Sequence, residues 1–372
     1  MLSRISFIAF IFSMIFLSSV TALAAEAYPV KVVGGGRHTL ALLSDGSVVG
    51  WGAVDTGTLG PKDAIPQDTK HATRLVSIKL PRKASDIAAM PESSFALLDD
   101  GTVVGWGELQ NSETPVKLPN LENIVKIAGG GNAGLALKKD GTVWGFGKNS
   151  RFAYEQIPGL QNIREISIGN MQGIALDANG NVWTWANNDG AIKYGVLGRE
   201  TNTDGVGKVE GLSNVVSVAA QAAVCTVVKR DGTVWVWGSN HMAQLANGRK
   251  SDVPNRGDSS EIVTKPQQVA GIGNAAAVAN TSIAVHTIIL LKDGTLRSWG
   301  NSQLGQAGNG AAGDYMTKPV ISKIAGVKAV FTIGMNSFAI KTDNTLWMWG
   351  AVNYFGYPFN KQEAYPKLLQ LK

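Results

Sequence analysis

Four histidines, His38, His71, His241 and His286, and one cysteine, Cys225, are the side chains best suited to metal binding or to nucleophile and base chemistry. They are scattered along the chain, with none of the spacings that such chemistry needs. There is no His-Glu-x-x-His, no Cys-x-x-Cys and no Gly-x-Ser-x-Gly. "TVWGFGKN" near Gly147 ends like a phosphate loop but lacks the first Gly and the final Ser or Thr. "DANGN" at Asp177 starts like a calcium loop, yet lacks the sixth-position Gly and the closing Glu. No enzyme chemistry, metal or cofactor is expected. The chemistry that remains is recognition. The stretch from Ser239 to Thr264 carries His241, Arg249, Lys250, Arg256, Asp258 and Glu261. Gln303, Gln306, Asn309, Asp314 and Tyr315 follow in a second polar stretch. Such polar and aromatic groups are the usual material of protein interfaces. Arg256, Gly257 and Asp258 also spell a short adhesion string, which polar loops produce readily by accident.

Those residues must be positioned by something, and the chain repeats one device. "LALLSDGSVVGWG" from Leu40 returns from Phe95, Leu135, Ile174, Val227, Ile288 and Phe338. Asp-Gly between two apolar, β-prone runs predicts a hairpin with a tight two-residue turn and positive φ at both central positions. The turn residues are Asp45, Asp100, Asp140, Asn179, Asp231, Asp293 and Asp343. Six residues later come Trp51, Trp106, Phe146, Trp185, Trp237, Trp299 and Trp349. Four residues later come Val49, Val104, Trp144, Trp183, Trp235, Arg297 and Trp347. All ten tryptophans occupy one of these two slots, which lie on one face of a strand. Large side chains at the same place in every unit predict filling between stacked sheets, with no sugar platform or cofactor box.

Each hairpin has a strand upstream, such as "VKVVGGG" at Val30, and a fourth element, often with Pro, such as "TPVKLP" at Thr114. Seven units of roughly 50 residues predict an all-β, seven-bladed propeller of four-stranded blades. The fourth element occurs between hairpins and again as "YPKLLQLK" at Tyr365. The expectation is therefore a ring closed by the C-terminal strand joining the N-terminal blade.

Arg4, the apolar run Ile5 to Leu17 and small residues to Ala27 predict a signal peptide over 1–24, cut between Ala22 and Tyr28. Residues 25–372 then form one propeller, periplasmic or secreted and monomeric. A single cysteine excludes an intrachain disulfide framework. The net charge of +6 is spread out, which points away from nucleic acid, and no membrane contact is expected once the signal is removed.

"GGGRHTLALLSDGSVVGWG" from Gly34, with "WGSNHMAQLANG" from Trp237 and "WGNSQLGQAGNG" from Trp299, resembles the regulator of chromosome condensation repeat family over essentially the whole mature chain. The resemblance implies a seven-bladed propeller that binds another protein through loops. Some relatives are guanine-nucleotide exchange factors for a small GTPase, and some secreted bacterial ones cover the active site of β-lactamases. The family His position holds His38 and His286, but Ser93, Ala133, Gln172, Val224 and Asn336 elsewhere. Those histidines are therefore expected to be structural, and Cys225, one residue beyond that slot, a small buried residue. The leading expectation is an exported protein-binding module, an inhibitor or scaffold. An exchange factor, a propeller enzyme assembled from several blades, and an envelope adhesion protein stay open.

Overall fold

The computed structural model describes residues 26–61, 65, 71–147, 150–188, 190–250, 261–279, 283–351 and 362–371. Seven antiparallel sheets follow one another along the chain. Blade 1 is Pro29–Gly34, His38–Leu43, Val48–Ala53 and His71–Ser77, paired in that order from the innermost strand outward. Blade 2 repeats this with Ala84–Met90, Ser93–Leu98, Val103–Gly107 and Ser112–Lys117. The same order runs to blade 7, which ends in Val327–Ile333, Asn336–Lys341, Leu346–Gly350 and Glu363–Leu369. Blade 3 is the exception. Its sheet has three strands, and the fourth is reduced to a bridge between Trp144 and Gln156. No helix among the described residues is long and apolar enough to cross a membrane.

The fourth strand thus follows its hairpin inside the same blade, which corrects the expected closure. The C-terminal strand pairs with Leu346–Gly350 of blade 7, with Trp347 opposite Leu368. Blade 1 already has its outer strand, in which Val76 pairs with Gly50. Among the described residues, blades 1 and 7 pack directly against each other through their side chains. Val32, Ala41 and Trp51 of blade 1 share a core with Phe331, Phe338, Ile340 and Met348 of blade 7. A cyclic repeat hides its phase, since an element spaced evenly between two hairpins fits either of them.

The Asp-Gly turns also differ from expectation. Gly46 N–H reaches the Leu43 carbonyl at 3.0 Å, and Leu43 N–H reaches Ser47 at 2.9 Å. That is a three-residue loop, a type I turn closed by one left-handed residue. Only Gly46 has positive φ, at 86°. The Asp45 carboxylate accepts from Ser47 N–H at 2.9 Å and from its hydroxyl at 2.6 Å. This holds Asp45 in an ordinary conformation and leaves the left-handed one to its neighbour. The same bonds keep the Asp45, Asp140, Asp231, Asp293 and Asp343 carboxyls below the usual carboxylate range.

The tryptophans divide by slot. Trp106, Trp185, Trp237, Trp299 and Trp349 are among the largest fully buried side chains and pack against the preceding blade. Trp144, Trp183, Trp235 and Trp347 are half-buried on the same side. Trp235 donates to Thr233 Oγ1 at 3.2 Å, with the Lys229 ammonium 5.6 Å over its ring.

Candidate binding surface

Antiparallel pairing sends successive connections to opposite faces of the ring. The Asp-Gly turns lie on one face. The links from third to outer strand lie on the other, so the long polar loops do share a face.

The blade 5 loop is organised by Asn240, which is fully buried. Its amide donates to Asn247 Oδ1 at 3.1 Å, the Arg249 carbonyl at 3.2 Å and Glu261 Oε2 at 3.1 Å. Its own oxygen accepts from Leu245 N–H at 2.9 Å. Gln244 then turns its carbonyl into the ring, where it accepts Trp299 Nε1–H of blade 6 at 2.7 Å. The blade 6 loop repeats the arrangement one step on. The Gln306 carbonyl accepts Trp349 Nε1–H at 2.8 Å and Ser337 Oγ–H at 2.9 Å. Gln306 is fully buried, with Oε1 accepting from Leu304 N–H at 2.8 Å. It braces the loop from inside and corrects the expectation that it faces a partner.

The outward groups meet between these two loops. Lys250 pairs with Asp314 at 3.0 Å, and its ammonium lies 5.3 Å over the Tyr315 ring. Gly248 N–H donates to the Thr317 carbonyl at 2.9 Å, tying the blade 5 loop to the outer strand of blade 6, Asp314–Ile321. Arg249 and Gln303 are exposed, and Asn309 and Tyr315 are half-buried. His241 stands apart. Its ring meets Tyr194 of the blade 4 loop edge-on, 6.0 Å between centroids. Arg256 and Asp258 lie outside the described residues.

Sequence reasoning missed Tyr194, although the blade 4 loop is conspicuously long. It also missed an acidic sector on the same face, at blades 1 and 2. There Asp55 pairs with Arg37 at 2.8 Å, and clefts of about 300 Å³ and 290 Å³ flank Glu108. A hydrogen bond shared with the Glu108 carboxyl, and burial, raise the Glu92 carboxyl above its ordinary value. The loop face is thus acidic at blades 1 and 2, while Lys193, Arg249 and Lys250 bring basic groups at blades 4 and 5.

His38, His286 and Cys225 fall into one structural pattern. His38 Nε2 lies 2.8 Å from Ser94 Oγ of the next blade, and that hydroxyl donates to the Thr58 carbonyl at 2.9 Å. The same carbonyl accepts Trp106 Nε1–H at 2.8 Å. His286, Ser337, Gln306 and Trp349 repeat this set, beginning with a 2.8 Å contact. Between blades 4 and 5, Gln172 and Cys225 take the same two places, with Gln172 Nε2 3.4 Å from Cys225 Sγ. Burial lowers both histidines to about 3 and pushes the Cys225 thiol up to about 12. Among the described residues no group of three or more His, Cys, Asp or Glu gathers as a metal site would need.

Comparison with known proteins matches residues 30–53, 124–152 and 284–306 to the regulator of chromosome condensation (RCC1) repeat. The human E3 ubiquitin-protein ligase HERC2 is 25% identical over 318 residues, covering 80% of this chain but 5% of that protein. The guanine nucleotide exchange factor SRM1 of Saccharomyces cerevisiae is 24% identical over 383 residues, covering 87% of this chain and 70% of its own. The crystal structure of human WBSCR16 superposes with a TM-score of 0.70 at 18% identity, over 87% of this chain and 93% of that one. That last likeness is one of fold.

Proposed function

We propose that this ring, a propeller of RCC1-like repeats, is an exported protein-binding module, an inhibitor or scaffold that works as a monomer. Export rests on the Arg4 start, the apolar run and the small residues before Tyr28. Residues 25–372 would be the mature domain. The observation that carries the binding reading is the shelf of Arg249, Lys250, Asp314 and Tyr315, where the blade 5 loop is tied to the outer strand of blade 6. Binding residues tend to collect on loops held by a rigid scaffold. His241, Gln303 and Asn309 border the shelf, and Arg256 and Asp258 belong to the same stretch of sequence. Likeness to an exchange factor favours one second reading, action on a small GTPase if the N-terminus is retained inside the cell.

Mature protein should capture a partner from periplasmic or culture fluid. Tyr315→Ala with Arg249→Glu should weaken capture at least tenfold while the fold is kept, because central aromatic and arginine contacts dominate interfaces. A folded double variant with full affinity would move the site off this shelf. An intact Met1 in a cytosolic fraction would remove the export reading and favour the exchange factor.

A further inference from the structure

We infer that the junction between blades 7 and 1 is the seam at which the ring opens, while the other blades stay packed. Three features set it apart. At every other junction the first residue of the innermost strand donates its N–H to the turn carbonyl of the blade before. Ala84 reaches Gly46 at 2.8 Å, Ile124 reaches Gly101 at 3.2 Å, and Ile163 reaches Gly141 at 3.1 Å. Val215 reaches Gly180 at 3.2 Å, Ala275 reaches Gly232 at 3.0 Å and Val327 reaches Gly294 at 3.0 Å. At the seam this residue is Pro29, which has no N–H to give.

The slot filled by His38, Gln172 and His286 holds Asn336 in blade 7. It is fully buried, and neither its amide nitrogen nor its oxygen has a hydrogen-bond partner among the described residues. Each of the other three keeps at least one bond across its junction. Asn is shorter than Gln or His, so it falls short of the reach that those side chains have. A buried amide left without partners costs free energy that an opened junction recovers.

Most other junctions also bury apolar residues from the connecting chain. Leu118 with Leu121, Ile157 with Leu160, Val209 with Leu212 and Val269 with Ile272 are all within 5% of full burial. Among the described residues no connecting chain crosses the seam, where Leu369 and Leu371 are only partly buried. A cleft lined by Ala27, Tyr28, Pro29, Leu346 and Leu368 remains there. Among the described residues the closing interface therefore lacks that backbone bond, leaves a buried amide unpaired and buries less connecting chain than most of its neighbours, and local opening follows the least stable contacts.

Buried thiols report the opening. Cys225 already sits at the junction of blades 4 and 5, in the slot that holds Thr39 at the seam and Ser94 between blades 1 and 2. In a Cys225→Ser background, Thr39→Cys and Ser94→Cys place one thiol at each of these junctions. Labelling by a disulfide reagent without denaturant should modify the Thr39→Cys thiol at least about tenfold faster than the Ser94→Cys thiol or native Cys225, at a rate insensitive to low urea. Ala41→Cys at the seam and Ala96→Cys between blades 1 and 2, both fully buried positions, form a second pair if the first perturbs folding. Equal rates within a folded pair, or seam labelling that tracks global unfolding in urea, would overturn the inference.

Discussion

The junction between blades 5 and 6 and that between blades 2 and 3 solve one packing problem in two ways. Blade 5 has a long loop, and its Gln244 carbonyl enters the ring to meet the indole N–H of Trp299. Blade 2 has a short 3-10 turn, Glu108–Gln110, and the next blade carries Phe146 in the tryptophan slot. The Phe146 ring lies over Gly134, where an added Cβ would fall 2.2 Å from it. A phenyl ring needs no acceptor, whereas an indole buried without one would leave a polar group unpaired. Loop length and aromatic type therefore vary together. The near part of a long loop belongs to the core, and only its far part is free to meet a partner.

The largest test removes the shared anchor. Trp237→Ala deletes a buried indole that also binds the Val196 carbonyl at 2.9 Å. The loss should be roughly 3–5 kcal/mol by urea denaturation, as for other large core truncations. Partner binding should fall only as folded protein is lost. A stable variant with no binding would make Trp237 a contact residue.

Acid should separate the junctions that use histidine from those that do not. His38 and His286 are held near 3 by burial, against an ordinary 6.5. The unfolded chain takes up protons below pH 6.5 that the folded one refuses, so stability is full above that pH. It is then lost between about 6.5 and 3, at about 1.4 kcal/mol per pH unit for each histidine. His38→Gln, the residue type used at position 172, should remove about half of that slope. An unchanged slope in the double variant with His286→Gln would assign the acid sensitivity elsewhere.

Exchanging the aromatic types should cost less. Trp299→Phe leaves the Gln244 carbonyl unpaired and should cost about 1–2 kcal/mol. Phe146→Trp buries a donor beside a loop too short to reach it and overfills the space over Gly134, at about 1–3 kcal/mol. If Phe146→Trp is neutral, loop length and aromatic type are unrelated.

The hairpins, the two tryptophan slots and the seven-fold ring were legible because each depends on neighbours close in sequence. The blade phase was not, because the outer strand looks alike from either side. The surface was legible only as a region. Gln303 and Gln306 are three residues apart in one polar stretch, yet one is exposed and the other fully buried. The difference is set by Trp349 in the next blade, which no local pattern reveals. His38 likewise finds its partner, Ser94, in another blade.

The smallest effect concerns how the two long loops bend inward. In blade 6 the bend uses Gly305 and Gly308, with φ of 85° and 66°. In blade 5 the same places hold Ala243 and Ala246, with φ of 61° and 52°. A left-handed alanine costs about 1–2 kcal/mol, and glycine returns part of that gain through a freer unfolded chain, about 0.4–1 kcal/mol. Ala243→Gly should therefore stabilise the protein by about 0.5 kcal/mol, read as a small rise in the urea midpoint. The reverse change should do the opposite and more. At Gly305 an added Cβ would sit 2.6 Å from the Ala364 backbone of blade 7, so Gly305→Ala adds a clash to the strained φ. Equal and opposite shifts for the two substitutions would mean that backbone strain alone governs the bend. A larger loss at Gly305 would show that the blade 6 loop is held more tightly to its neighbour, leaving blade 5 with the looser of the two.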